Sequence, residues 1–521
     1  MSSSGAGNLP RKTVAPSRQQ PSRAAKRPRF SGPAVEPQFP PEIWEHIFRF
    51  LPAWQLPRLR LICHHWNAVI SGSSSLMDRC DVRIDASRLN RQMDQHYVPA
   101  NLPPLVTQLV VRKFTIVSCD HWWPEFAQFL KELQLMYCSM TVDVLYGMLR
   151  RAPNLRRLVL YGAKLSGTAE PDFQLDRLTL LVVCCVGYED NSRNILDGFE
   201  RVFPRLEDLR LENNSMPTNI LQSIRTLQNS LQYLTLQSYP NVLDDLSELQ
   251  QLRLKMLGLD VDVLRDDLAT WTKLCRNQPL LENLKMSSNC IHVLRETGRL
   301  LPRLKTFALT VRTQMVASFL ETMPRLEYLE ISGCYDLISF RNYTTPSLER
   351  FVLETIETED LFQYLQRSPR LRQMRLNNCK LGYCEAVTAS LPNLTLLILD
   401  DLNCHPYSWF SLLAHSFNLE ELTLVYLRYL DNGTMRKICK MLKHLKKLSL
   451  LRMRYLTDYS ANHIIQHCRA LEELEAEYPF TEAALVRIES ARNIRVKRLR
   501  ARSDDEDEEE EDEEGGDDDD E

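Results

Sequence analysis

The residues able to do chemistry are few, and their spacing suits little of it. Cys63-His64-His65 offers a thiol and two imidazoles in a row, but a closed zinc site needs further ligands, and no second pair follows at a fitting distance. Cys184-Cys185 is a lone adjacent cysteine pair. Neighbours on a strand point to opposite faces, so these thiols read as packing rather than redox groups. The chain has no G-x-x-x-x-G-K-[ST], no G-x-S-x-G, no H-E-x-x-H and no paired C-x-x-C. What recurs instead is Tyr or Arg at alternate positions of short apolar runs: Tyr161, Arg210, Tyr233, Tyr328, Arg350 and Arg375. Such side chains dominate the energetics of protein interfaces. The expected chemistry is therefore recognition of a protein, with no catalytic residue, no cofactor and no metal.

Those positions sit in an array. The unit is L-x-x-L-x-L, starting at Val106, Leu130, Leu155, Leu178 and so on to Leu471, sixteen units whose starts span 365 residues and recur about every 24. Proline stands two residues ahead of nine of them, Pro302, Pro324 and Pro346 among these, where it ends the preceding helix and biases its neighbour toward extended backbone. Period and core resemble the leucine-rich repeat. That resemblance implies one short strand per unit with alternate residues inward (Leu329 and Ile331, for example), a usually helical return segment, and a concave strand face that binds the partner. Cys138, Asn214, Asn289, Cys334 and Cys379 hold the position where such repeats bond the turning backbone. The unit Leu445 to Leu474 resembles the cysteine-containing subtype, with Leu456-Thr457-Asp458 opening its helix and Cys468 closing it.

Ahead of the array the pattern changes. In FPPEIWEHIFRFLP, prolines and Glu42 suit a helix start, and Ile43, Ile47, Phe50 and Leu51 fall on one helical face. PRLRLICHHWNAVI predicts a second helix with Leu59, Ile62, Cys63, Trp66 and Ile70 on its apolar side. Two such helices in some 33 residues cannot close a core unaided. The stretch resembles the F-box: Phe39-Pro40-Pro41-Glu42-Ile43, Ile47-Phe48, Leu51-Pro52, Leu56 and Ile62-Cys63-His64-His65-Trp66 match its pattern without a gap. It departs in having Phe39 and Pro57 where leucine is usual; Pro57 is tolerable in a first helical turn but could weaken docking. The resemblance implies that Pro40, Ile43, Ile47, Leu51, Leu56, Ile62, Cys63 and Trp66 serve a contact with the Skp1 adaptor, or the small core beneath it. Through Skp1, a cullin and a RING protein would be recruited, making this chain the substrate receptor of an SCF-type ubiquitin ligase.

The totals bound the rest. The chain has 521 residues, 44% of them apolar, and no run of the roughly 20 apolar residues a membrane span needs. Its start lacks a secretory h-region, which predicts a cytoplasmic or nuclear protein, and its 14 scattered cysteines are expected to be reduced. Residues 1–35 carry seven Lys or Arg, with Lys26-Arg27-Pro28-Arg29 a candidate nuclear-import run, and 503–521 carry sixteen acids. Removing both from 64 bases and 68 acids leaves 57 against 52, too balanced for a nucleic-acid binder. The expected organisation is α/β: a disordered basic arm (1–37), a helical F-box (38–80), a curved solenoid of about 16 repeats (81–490) and a disordered basic-then-acidic tail (491–521). The protein substrate cannot be named from the sequence. The rival reading is a nuclear leucine-rich-repeat scaffold or acidic histone-binding protein with no ligase role.

Overall fold

A strand with leucine at alternate positions can bury only one side, so each L-x-L core commits its strand to lie against an interior shared with its neighbours. The computed structural model describes residues 39–498, apart from 87–91, 94–95, 98, 100–104, 189–193, 213–219, 238, 240, 342, 383–390, 405–409, 411, 478–479 and 493. The basic arm, the acidic run and Asn214 lie outside the described residues. All sixteen expected strands are present, each starting two residues after the first apolar residue of its unit, from Gln108–Arg112 to Glu473–Ala476. They pair in parallel, in chain order, as one long sheet. Inward residues such as Leu133, Leu135, Leu329 and Ile331 are fully buried. The result is a curved leucine-rich-repeat solenoid, backed by helices such as Val142–Arg150, Ile291–Leu300, Asn432–Met441 and Asp458–His467. Thr457 caps the last of these by accepting the Tyr459 N–H, and Cys468 closes it, as expected.

The strands end in a common device. The next residue turns left-handed at Lys113, Tyr137, Gly162, Cys185, Asn378, Asp401, Tyr426 and Arg452, and in the first seven of these its N–H reaches a carbonyl at the end of the following strand, as from Tyr137 to Tyr161 at 2.7 Å and from Tyr426 to Leu451 at 3.0 Å. At Gly162 this geometry admits no side chain, because a Cβ there would lie 2.6 Å from the Tyr137 ring. One residue further, Cys138 and Cys379 are fully buried, and their thiols donate to the carbonyls of Val111 and Leu353 at 3.5 Å. Burial pushes both thiols up to about 11, which keeps them protonated donors. Asn289, at the equivalent position, bonds the backbone in the opposite sense, its Oδ1 accepting the Arg312 N–H at 2.9 Å.

Cys334 does not fill this role: it is exposed. Its strand, Tyr328–Ser339, shifts register between Ser332 and Asp336, and the extra residues swing Cys334 out. The basic segment after 490 also departs from expectation. Arg495–Arg498 is a strand pairing with Glu473–Ala476, because Ile494 and Val496 alternate inward and are buried. Arg498 is held by Glu482 and Glu489 at 3.0 and 3.1 Å. At the other end Asp81–Asp85 pairs with Gln108–Arg112, extending the sheet one strand ahead of the first repeat.

The N-terminal unit contains helices α1 (Pro41–Arg49), α2 (Leu56–Leu59), α3 (His64–Gly72) and α4 (Ser74–Met77). The second expected helix is thus broken. Cys63 is extended (φ −154°, ψ 161°) and its sulfur accepts the Trp66 N–H at 3.4 Å, capping α3. This turn directs Leu61 and Ile62 into solvent.

Candidate functional site

Two surfaces emerge, one on the helical unit and one on the strand face. In α1, Trp44 and Phe48 turn inward against Trp66, with ring centroids 5.0–5.6 Å apart. With Leu56, Ile70, Leu76 and Met77 they form a core of their own. The opposite stripe is left uncovered: Ile43, Ile47 and Phe50 are 46%, 39% and 78% exposed, and Leu61 and Ile62 reach 85% and 61%. Pro40 is also exposed, Leu51, Cys63 and Trp66 are half-buried, and Leu56 is fully buried. The eight expected residues therefore divide. Pro40, Ile43, Ile47 and Ile62 are surface; Leu51, Leu56 and Trp66 pack in the core; Cys63 is a helix cap. Phe50 and Leu61 join the exposed face, and only the break before α3 reveals Leu61.

This face sits on a rigid mount. Arg79 donates to the carbonyls of Arg49 and Leu51 at 2.8 and 2.5 Å, fixing the end of α1. Glu45 accepts from Ser75 at 2.7 Å and pairs with Arg49 at 2.6 Å; these hydrogen bonds, Ser75 foremost, hold its carboxyl below the ordinary range. Asp78, just past α4, pairs with Lys131 of the solenoid at 2.6 Å, and its carbonyl accepts from Gln108 at 2.7 Å. The helical unit is thereby keyed to the first repeats.

On the strand face the six candidates fall into two groups. Arg210 is clamped by Asp208 through two bonds of 3.0 and 2.8 Å, and Tyr233 lies on the adjoining strand opposite Asp208. Tyr161 packs edge-on to Tyr137 at 5.3 Å. Four strand spacings past Tyr233, or about 19 Å, Tyr328 carries the Arg350 guanidinium 5.0 Å above its ring. The Tyr328 hydroxyl donates to Glu330, and burial raises its pKa, opposed by the charges of Arg350 and Arg375. Nearby, Asn377 donates to Glu354 at 2.9 Å, and burial raises the Asp400 carboxyl against the pull of Arg375. Tyr328, Arg350 and Arg375 therefore form one patch; Tyr161, Arg210 and Tyr233 do not join it. Asp208 holds Arg210, Glu330 accepts from Tyr328, and Asp400 faces the charge of Arg375; a choice limited to aromatic and Arg side chains passes over these acids.

Residues 37–81 match the F-box domain family. Among curated proteins none matches the chain. Solved structures it resembles include TLR13 from a complex with single-stranded RNA, at 17% identity over 76% of this chain, with a TM-score of 0.47; the chain spans 62% of that protein. A leucine-rich-repeat protein of Leptospira interrogans is 15% identical over 81% of this chain and 91% of its own, with a TM-score of 0.31. The repeat assignment rests on the sixteen strands themselves. No helix among the described residues is long and apolar enough to cross a membrane. The chain thus carries an F-box domain keyed onto a solenoid of leucine-rich repeats.

Proposed function

We propose that this chain is the substrate-recognition subunit of an SCF ubiquitin ligase. The observation that carries the reading is the uncovered apolar stripe of Ile43, Ile47, Phe50, Leu61 and Ile62, on the side of the unit away from its own core. A patch of large apolar side chains that the described residues leave open is suited to burial by another protein, and the match to the F-box domain supports Skp1 as that partner. Skp1 would in turn bring the cullin and RING subunits. The receptor supplies no reacting group; it raises the effective concentration of a target lysine near the charged E2. The target, a protein, would sit on the strand face, with Tyr328, Arg350 and Arg375 as its principal anchors and Tyr161, Arg210 and Tyr233 as a second group.

The test is co-purification of Skp1 and cullin with the full chain and with a Pro40→Ala/Ile47→Ala double variant. Both positions are exposed, so the variant should fold, and its unchanged melting temperature checks that. Complete burial of an isoleucine is worth about 1.5–3 kcal/mol, so adaptor recovery should fall roughly tenfold or more. Undiminished recovery, or an eluate containing histones without Skp1, would contradict the proposal.

A further inference from the structure

At the edge of the sheet where the strands end, two consecutive repeats build one surface twice. Strand Glu421–Val425 runs into Tyr426-Leu427-Arg428-Tyr429-Leu430, and Lys447–Leu451 runs into Arg452-Met453-Arg454-Tyr455-Leu456. Leu427, Leu430, Met453 and Leu456 are buried and fix both turns, while Arg428, Tyr429, Arg452, Arg454 and Tyr455 are exposed. The guanidinium carbons of Arg428 and Arg454 lie 5.6 and 5.3 Å from the centroid of the same ring, Tyr426. Among the described residues neither forms an ion pair, and this holds although Asp401 and Glu477 directly follow the flanking strands. One ring thus holds two like charges poised in place, and an anion between them would relieve their repulsion.

The source of that anion is set by where the chain leaves the array. All these strands are parallel, so Arg498 ends at the same edge as Leu451 and Val425. The strand Arg495–Arg498 lies two positions beyond Lys447–Leu451 and three beyond Glu421–Val425, which at the usual strand spacing is about 10 and 14 Å. The five residues Leu499–Ser503 can span about 17 Å when extended. Eleven consecutive carboxylates follow, Asp504–Glu514. They therefore begin within reach of the shared ring.

We propose that the surface of Tyr426, Arg428 and Arg454 is a binding site for an acidic peptide segment, and that its occupant is the chain's own run Asp504–Glu514. A tether this short gives an effective concentration in the millimolar range. An acidic partner approaching this edge must therefore displace the run first. The site lies at the far end of the array from the F-box, and the proposal stands whether or not Skp1 docks there.

A fluorescent peptide of residues 503–521 tests it by anisotropy, titrated with the full native chain and with a full-length chain whose acids from Asp504 to Glu521 are replaced by Asn and Gln. The neutralised chain should bind the peptide at least tenfold more tightly than the native chain, and the affinity should fall as salt is raised. Adding Arg428→Glu and Arg454→Glu to the neutralised chain should abolish that gain. The milder Arg428→Gln/Arg454→Gln pair should reduce it, with circular dichroism confirming the fold of each variant. Equal binding by native and neutralised chains would mean the run does not occupy the site and would overturn the proposal. Absent binding, or binding indifferent to the arginine substitutions, would overturn it equally.

Discussion

The F-box unit and the solenoid are built from the same material, short elements with an apolar stripe, and they resolve it differently. In the solenoid every inward leucine meets the equivalent residue of the next repeat, so Leu133, Leu158 and Leu181 lie in register across adjoining strands and all are buried. The F-box unit has no next repeat. It buries Trp44, Phe48 and Trp66 among themselves and leaves Ile43, Ile47, Phe50, Leu61 and Ile62 uncovered. Repetition closes one surface, and nothing among the described residues closes the other. The strand face differs from both, because its cations are already matched by acids and rings, as with Arg210 on Asp208 and Arg350 on Tyr328. Side chains held in this way would lose little freedom on binding.

The sharpest way to break this comparison is to remove a next repeat. Ending the chain after Arg370 would strip the cover from Leu348, Phe351 and Leu353, all fully buried. Neighbour-only stacking then predicts an exposed apolar end and aggregation in size-exclusion chromatography, while ending it after Arg502 should leave a soluble protein. A monomeric, well-behaved product from the first cut would mean the repeats do not form one continuous core. The F-box core is the next target. Phe48→Ala empties a fully buried site and should cost about 3–5 kcal/mol. Because the unit has its own core, the loss should appear as increased hydrogen exchange in residues 41–77, with the central strands unaffected.

Charge reversal on the strand face should act on the other half of the comparison alone. Arg350→Glu/Arg375→Glu should slow turnover of the bound target in cells without changing Skp1 recovery or melting temperature. Stable adaptor binding with unchanged target levels would void this patch as the anchor. Smallest of all is the cap: Cys63→Ala removes the acceptor of the Trp66 N–H and should cost about 0.5–2 kcal/mol, read as a modest fall in the stability of the helical unit.

The repeats were legible because the leucines report one environment sixteen times, and a period needs no knowledge of what lies on either side. The orientation of α1 was not legible. Ile43, Ile47 and Phe50 make one helical stripe and Trp44 and Phe48 another, and periodicity does not say which stripe the chain itself will cover. The break at Leu61–Cys63 was hidden because a cysteine seldom signals a cap. The last strand was hidden in a different way: Arg495, Lys497 and Arg498 gave the segment the look of a basic tail, while the alternation of Ile494 and Val496 was the signal of a strand. Cys334 was displaced by a register shift that a count of residues cannot contain. The pair of arginines on Tyr426 lies past the strand ends, outside the alternate positions of the strands, although the echo of Tyr-Leu-Arg-Tyr-Leu in Arg-Met-Arg-Tyr-Leu stood in the sequence.

Hydrogen–deuterium exchange of the full chain, with and without purified Skp1, tests the central claim most directly. The account predicts that Skp1 protects amides within 41–51 and 58–66, which carry the uncovered stripe, and leaves the strands from Gln108 to Ala476 unchanged. Protection confined to the strands, or no protection anywhere in 39–66 at saturating Skp1, would contradict it.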